Sequence, residues 1–98
     1  MIAVPQAAIT IRKLSSEELK KLGVFSWDIW EKGVSKFKYH YDTEERCYFL
    51  EGEATIETKE GVSEIQKGDF VIFPKGLSCT WNIKQPVKKY YRFYSSMS

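Results

Sequence analysis

Residues 33–52, GVSKFKYHYDTEERCYFLEG, and residues 68–79, GDFVIFPKGLSC, decide the fold of this chain. The first stretch is bounded by Gly33 and Gly52, and the second carries Pro74 between two glycines. In both stretches short apolar and aromatic runs stand between residues that favour turns. This arrangement is typical of short antiparallel strands that are joined by tight connections. The two stretches therefore predict a sheet structure that is interrupted at regular intervals by turns.

The rest of the chain continues the same pattern. Strands are predicted at residues 8–12, 25–29, 36–41, 46–51, 54–58, 62–66, 70–73, 79–84 and 88–94. One helix is predicted from Ser16 to Leu22, because Ser15 and Glu18 can form a capping box and Gly23 suits the C-terminal cap. The 98 residues are enough for one domain, so we expect residues 1–98 to form a single all-β barrel with one short N-terminal helix.

The spacing within the two stretches resembles the two sequence motifs of the cupin family, G-x5-H-x-H-x3,4-E-x6-G and G-x5-P-x-G-x2-H-x3-N. The chain looks most similar to the small single-domain cupins that are related to the cupin domain of ureidoglycine aminohydrolase and to ethanolamine-utilisation cupins. Residues 47–52, CYFLEG, and residues 73–81, FPKGLSCTW, carry this likeness. The resemblance implies a cupin barrel, which is a double-stranded β-helix of the jelly-roll type.

The motif positions that bind metal in many cupins are altered in this chain. Where metal-binding cupins have His, His, Glu and His, this sequence has Tyr39, Tyr41, Glu45 and Cys79, and Ile83 replaces the final Asn of the second motif. A neutral phenol is a poor ligand for a divalent ion, and a thiolate suits softer ions than Mn²⁺ or Mg²⁺. We therefore expect no tightly bound metal or other cofactor. If a divalent metal were present, the same four residues would hold it.

Alternation along a strand predicts which of these side chains face a common pocket. Tyr39 and Tyr41 are two residues apart and point the same way, so His40 points to the other face. Glu45 begins the next strand, and Trp81 shares the face of Cys79. The predicted pocket residues are Tyr39, Tyr41, Glu45, Cys79 and Trp81. We expect the phenol hydroxyls to hold the Glu45 carboxylate, so that Glu45→Gln leaves the fold intact.

Three functions are compatible with such a pocket. The first is binding of a small polar molecule without a metal. The second is an enzyme that uses the same pocket, either a metal-dependent hydrolase of a small nitrogenous metabolite or a metal-free isomerase, with Glu45, Tyr39 and Tyr41 as catalytic candidates. The third is a protein-interaction module with a vestigial pocket. Each pocket residue also has a purely structural interpretation, since phenols, thiols and a bonded carboxylate occur in ordinary cores.

The composition of the chain limits the kinds of partner that it is expected to bind. With 15 basic and 13 acidic residues and no concentrated basic stripe, the chain does not look like a nucleic-acid binder. No apolar stretch approaches the length of a membrane span, and no secretory signal is apparent. Cys47 and Cys79 are expected to be reduced thiols, which suits the cytoplasm, or an organelle interior after removal of a transit peptide. Trp27, Trp30 and the aromatic run at residues 90–94 indicate core packing or a homodimer interface.

Overall fold

The computed structural model describes residues 9–94, which form one helix, one 3₁₀ turn and seven strands. Helix α1 spans Ser16–Leu22 and the 3₁₀ turn spans Val24–Ser26. The strands are β1 (Thr10–Arg12), β2 (Asp28–Lys32), β3 (Ser35–His40), β4 (Glu44–Thr58), β5 (Gly61–Gln66), β6 (Phe70–Phe73) and β7 (Ser78–Tyr94). Within this part of the chain, no helix is both long and apolar enough to cross a membrane.

Two long strands, β4 and β7, organise the barrel. They pair with each other antiparallel over most of their lengths. The first half of β4 and the second half of β7 lie in a sheet of order β1-β6-β4-β7-β2. Their other halves are flanked by β5, which pairs with β4, and by β3, which pairs with β7. Because the same two strands run through both halves of the structure, the sheet curls around a common interior. The predicted all-β barrel with one short helix is confirmed.

The long strands bend where the chain predicts an interruption. The β4–β7 pairing is irregular between Phe49 and Ala54, and Gly52 lies at this point with φ +101°. A Cβ atom at Gly52 would lie 2.3 Å from the carbonyl oxygen of Pro86, on the opposing strand. A glycine is therefore required here for both backbone conformation and close approach. The sequence predicts separate strands on either side of Gly52, whereas the structure has one bent strand.

Helix α1 begins and ends at the predicted residues. The Ser15 hydroxyl accepts a hydrogen bond from the backbone N–H of Glu18, and the Glu18 carboxylate accepts one from the N–H of Ser15. Gly23 ends the helix in the left-handed conformation, with φ +77°. The helix packs Leu19 onto the outer face of the sheet, together with Val24, Trp27 and Phe70. One half of the barrel is thus covered on its outer as well as its inner face.

This two-sided burial accounts for the aromatic run near the C-terminus. Tyr90 and Tyr94 pack against the cluster under the helix, whereas Tyr91 packs against the barrel interior. Trp27 belongs to the outer cluster and Trp30 to the interior. Packing within the chain therefore accounts for these five residues, whereas Phe93 of the same run is 46% exposed.

The predicted strand at residues 25–29 is wrong in its first half. Residues Val24–Ser26 form a 3₁₀ turn that continues from the helix cap, and β2 begins only at Asp28. As a consequence Ile29 is exposed and Trp30 turns inward, which is the reverse of the predicted alternation. The predicted strand at residues 8–12 appears as β1 from Thr10 onward, and Ala8 lies outside the described residues.

Candidate functional site

A cavity of about 230 Å³ opens into the interior of the barrel. Strands β2, β3, β4 and β7 each contribute inward-facing side chains to its wall. The lining residues are Trp30, Phe37, Tyr39, Tyr41, Glu45, Trp81, Lys89, Tyr91 and Phe93. Seven of these nine side chains are aromatic, so the wall consists mostly of ring faces and edges, and the two charged groups stand out.

The two charged groups form a buried ion pair. The Nζ atom of Lys89 lies 3.1 Å from Oε2 of Glu45 and donates a hydrogen bond to it. Both residues are nearly enclosed, with exposed fractions of 3% for Lys89 and 5% for Glu45. Two charges can be buried at this depth only when each compensates the other. The expectation that phenol hydroxyls hold Glu45 is wrong, since among residues 9–94 its hydrogen-bond partner is the Lys89 ammonium group.

The ammonium group of Lys89 has a second partner in Cys47. Its Nζ atom lies 3.3 Å from the Cys47 sulfur, which is fully buried. Burial raises the pKa of Cys47, so this residue is a neutral thiol at neutral pH. Burial alone would lower the pKa of Lys89, but its hydrogen bonds to the Cys47 sulfur and the Glu45 carboxylate, together with the charge of that carboxylate, outweigh that effect and raise it. Lys89 therefore carries its positive charge.

Aromatic rings surround the same ammonium group. Nζ of Lys89 lies 4.8 Å from the ring centroids of both Trp30 and Trp81, and 5.7 Å and 5.8 Å from those of Phe73 and Phe49. Ring faces are electron-rich and attract a cation, most strongly when water is excluded. This cage is a second reason why a charged lysine is stable in the barrel interior.

The two tyrosines lie together, as the alternation predicts, but in different environments. Their ring centroids are 4.6 Å apart in an edge-to-face arrangement. Tyr41 is buried, stacks on Phe73, and accepts a hydrogen bond from the Trp81 indole N–H at 3.2 Å. Tyr39 lies at the mouth and is 41% exposed. Burial, followed by the charge of Glu45, raises the pKa of both phenols, which are therefore neutral at neutral pH.

The remaining predicted residues lie next to the cavity or away from it. Cys79 is the cross-strand partner of Tyr39 and belongs to the same hydrophobic core, but it does not line the cavity. It borders a second, more open depression, which Tyr39 also lines. His40 faces outward, as predicted, with its Nδ1 atom 2.7 Å from the Ser78 hydroxyl. Cys47 and Cys79 are both buried free thiols, in agreement with the prediction.

Lys89 is the residue that sequence reasoning misses. Next to Lys88 it looks like half of a basic surface pair. The available signal is alternation: Val87, Lys89 and Tyr91 share one face of β7, and that face is inward. A lysine at an inward position between apolar neighbours requires a buried carboxylate, and Glu45 is the inward carboxylate in the first motif stretch.

The side chains around the cavity do not match the ligand set of a divalent metal. Within residues 9–94 no three His, Cys, Asp or Glu side chains converge on one point. The two phenols are neutral, and the ammonium group of Lys89 already occupies one oxygen of Glu45. A second cation at this carboxylate would be repelled by the lysine.

The curved antiparallel barrel and the cavity in its interior define a small cupin. The chain belongs to the family described as the EutQ-like cupin domain, which matches residues 19–91. The family resemblance that the sequence motifs indicate is thereby confirmed.

Solved structures agree with this assignment. The chain is similar to a DUF861-family protein from Thermotoga maritima, with 48% identity and a TM-score of 0.86, covering 89% of this chain and all of the other. It shares its fold with a putative ethanolamine utilisation protein Q from Salmonella typhimurium, at 17% identity and a TM-score of 0.63, over 93% of this chain and 72% of that one. The Clostridium difficile EutQ protein is similar at 16% identity and a TM-score of 0.64, over 89% and 68% of the two chains. No curated protein matches the chain.

Proposed function

We propose that this cupin binds a small molecule in its aromatic cavity without a resident metal ion. One observation carries the proposal: the Lys89 ammonium group lies 3.1 Å from Glu45, the one residue that the chain retains from the cupin metal-ligand set. The lysine supplies, from within the chain, the positive charge that a metal would otherwise place beside this carboxylate. Tyr39 and Tyr41, at the positions of two metal-binding histidines, contribute ring surface to the wall.

The shape of the cavity supports binding. Ligand sites are typically concave, mostly apolar and equipped with a few polar groups that fix orientation. This cavity has aromatic walls, one ion pair at its base and an open mouth beside Tyr39 and Phe93. Its volume of about 230 Å³ lies below the range of roughly 300–1,000 Å³ that is usual for drug-sized ligands. The proposed ligand is accordingly a small metabolite-sized molecule.

The three tryptophans allow a direct test of binding by NMR. Trp30 and Trp81 line the cavity, while Trp27 lies under the helix, outside it. In a titration with mixtures of small aromatic and heterocyclic compounds, ligand binding should shift the indole N–H resonances of Trp30 and Trp81 and leave that of Trp27 unchanged. Binders that shift only Trp27, or a library that shifts none of the three, would contradict the proposal.

Metal analysis tests the other half of the proposal. Protein purified without chelators should contain well under one equivalent of transition metal. Addition of Zn²⁺ or Mn²⁺ should not raise its melting temperature, since a metal that binds the folded state tightly would do so. The matched variant Lys89→Met removes the internal cation and should increase the affinity for added metal relative to wild type. One firmly bound equivalent of metal in the wild-type protein would refute the metal-free assignment.

A further inference from the structure

The charges in the cavity restrict the charge of its ligand. One positive group, Lys89, and one negative group, Glu45, lie side by side. An anion that approached Lys89 would also meet the Glu45 carboxylate, and a cation that approached Glu45 would meet the ammonium group. Neither an anionic nor a cationic ligand would therefore meet a net opposite charge that compensates the loss of its hydration. The cavity is therefore matched to a neutral ligand.

The unused hydrogen-bonding capacity of the pair restricts the polar groups of the ligand. An ammonium group has three N–H donors, and within residues 9–94 two of them have partners, Glu45 Oε2 and the Cys47 sulfur. Four aromatic rings surround the ammonium group, and ring faces accept the remaining N–H only weakly. Lys89 donates to Oε2 of Glu45, and a carboxylate accepts several hydrogen bonds, so Glu45 retains acceptor capacity. The pair thus offers one donor and one acceptor next to each other.

The walls restrict the shape of the ligand. Phe37 stacks on Trp81 with their planes 7° apart, and Trp30 meets the same indole nearly edge-on. Flat surfaces of this kind favour a planar guest, because offset-stacked and edge-to-face contacts need a ring or another planar group. The small volume limits the ligand to about one ring with a short substituent.

We propose that the cavity binds a neutral, planar, single-ring molecule that carries a carbonyl acceptor and an N–H donor on neighbouring atoms, namely a carboxamide or a lactam. The carbonyl oxygen accepts from the third N–H of Lys89, and the amide N–H donates to Oε1 of Glu45. The ring lies against Trp30 and Trp81. This inference rests on the proposed small-molecule-binding function and specifies its ligand class.

Four probes of nearly equal size test the ligand class: benzamide, benzoate, benzylammonium and toluene. They are titrated separately into the wild-type protein, with the Trp30 and Trp81 indole resonances as the readout and Trp27 as the internal control. Benzamide should bind best. Benzoate and benzylammonium should bind at least about tenfold more weakly, because each leaves one buried charge of the pair facing a like charge. Toluene should also bind more weakly, because it leaves the donor and acceptor without partners.

Two variants sharpen the result by changing the charge of the cavity. Glu45→Gln leaves a net positive site, so the preference should shift toward benzoate. Lys89→Met leaves a net negative site, so the preference should shift toward benzylammonium. Lys88→Met removes a lysine on the opposite face of β7 and should leave the order of the four probes unchanged. If a cavity variant does not fold, the order of affinities of the four probes for the wild-type protein still tests the ligand class.

The outcomes separate this inference from the proposed function. If benzoate, benzylammonium or toluene binds wild type as well as benzamide does, the amide-type ligand class is wrong, while the cavity remains a binding site. If none of the four probes shifts Trp30 or Trp81 but another small molecule does, the ligand class is again wrong on its own. If no compound binds in the cavity, both proposals fail.

Discussion

At the scale of single residues, the ion pair between Glu45 and Lys89 dominates the interior of this cupin. Its two charges are buried among aromatic rings, where the loss of hydration is costly and the mutual attraction is correspondingly strong. A pair of this kind contributes little net stability compared with a well-packed apolar pair. Because stability alone does not account for the pair, its presence is one of the reasons for proposing that the cavity binds a ligand.

Removal of either charge should be much more destabilising than removal of both. Lys89→Met leaves Glu45 as an unpaired buried carboxylate and should cost about 3–5 kcal/mol of unfolding free energy, as should Glu45→Gln for the opposite charge. The double variant should recover most of this loss. Urea unfolding of the four proteins gives the coupling energy as a double-mutant cycle. Single losses that simply add in the double variant would show that the two groups do not interact.

The loss of unfolding free energy expected for Glu45→Gln is larger than it would be if phenol hydroxyls held the carboxylate. Neutral donors around Glu45 would make the amide a good substitute, at about 1–3 kcal/mol. A charged lysine makes it a poor substitute. The fold should nevertheless survive, since domains have typical stabilities of about 5–15 kcal/mol. Lys88→Met, on the outward face, is the matched control and should change stability by no more than about 0.5 kcal/mol.

At the scale of elements, the bend in the two long strands is the most demanding feature. Gly52 combines a left-handed backbone with direct contact to the Pro86 carbonyl group on β7. Gly52→Ala should cost about 1–2 kcal/mol for the backbone conformation, and a further 1–3 kcal/mol or so for the overlap with Pro86. Gly61 also has positive φ, but no atom lies within 4 Å of its hypothetical Cβ. Gly61→Ala should therefore show only the conformational cost, and equal losses in the two variants would contradict the close approach.

Local chemistry made most elements predictable from the sequence. Ser15, Glu18 and Gly23 define helix α1 by hydrogen bonds that involve only neighbouring residues, so its limits follow directly from the sequence. The bends in the long strands are harder to predict from the sequence, because a glycine is equally compatible with a turn that ends a strand and with a bulge inside one. The 3₁₀ turn at Val24–Ser26 imitates strand alternation through the spacing of Phe25 and Trp27, although Val24 packs under the helix and Phe25 is exposed.

The candidate site was predictable to the extent that it depends on alternation within one strand. Tyr39 and Tyr41 share a face, as expected, and Trp81 lines the same cavity from the neighbouring strand β7. The partner of Glu45 was not predictable in this way, because Lys89 lies 44 residues away in the chain. Two charged residues so distant in sequence become a pair only through the β4–β7 register. This register places Glu45 opposite Phe93, Cys47 opposite Tyr91 and Phe49 opposite Lys89.

At the scale of the whole molecule, the barrel interior holds groups that are more readily protonated than in the unfolded chain. Burial raises the pKa of Cys47, and burial together with the negative charge of Glu45 raises the pKa of Cys79 to about 11. The pKa values of Tyr41 and Lys89 are raised as well. All of these shifts have the same consequence, because in each case the folded state holds its proton at a pH at which the unfolded state has lost it.

This common direction predicts that the protein loses stability on the alkaline side. Where the folded state binds more protons than the unfolded state, unfolding free energy falls as pH rises, by up to about 1.4 kcal/mol per pH unit for each such group. Cysteines in an unfolded chain titrate near pH 8.5, whereas tyrosines and lysines titrate at about pH 10 or above. The loss between about pH 8.5 and pH 10 therefore belongs to Cys47 and Cys79, and Tyr41 and Lys89 add to it only at higher pH. Below pH 8.5 all four contributions are fully present.

Urea unfolding at half-unit steps from pH 7 to pH 10.5, in the presence of reductant, measures this slope. Cys79→Ala removes one of the two titrating thiols and should make the decline between about pH 8.5 and pH 10 shallower, whatever its effect on stability at pH 7. Cys47→Ala should also make this decline shallower. The change in slope in this variant is the more informative of the two, because the Cys47 thiol also contacts Lys89. His40→Ala is a suitable control, since this outward side chain takes no part in the interior and should leave the alkaline slope unchanged. A stability that stays constant up to pH 10 in the wild-type protein would mean that the thiols ionise as easily inside the barrel as in water, and the enclosed interior that the proposed binding site requires would be ruled out.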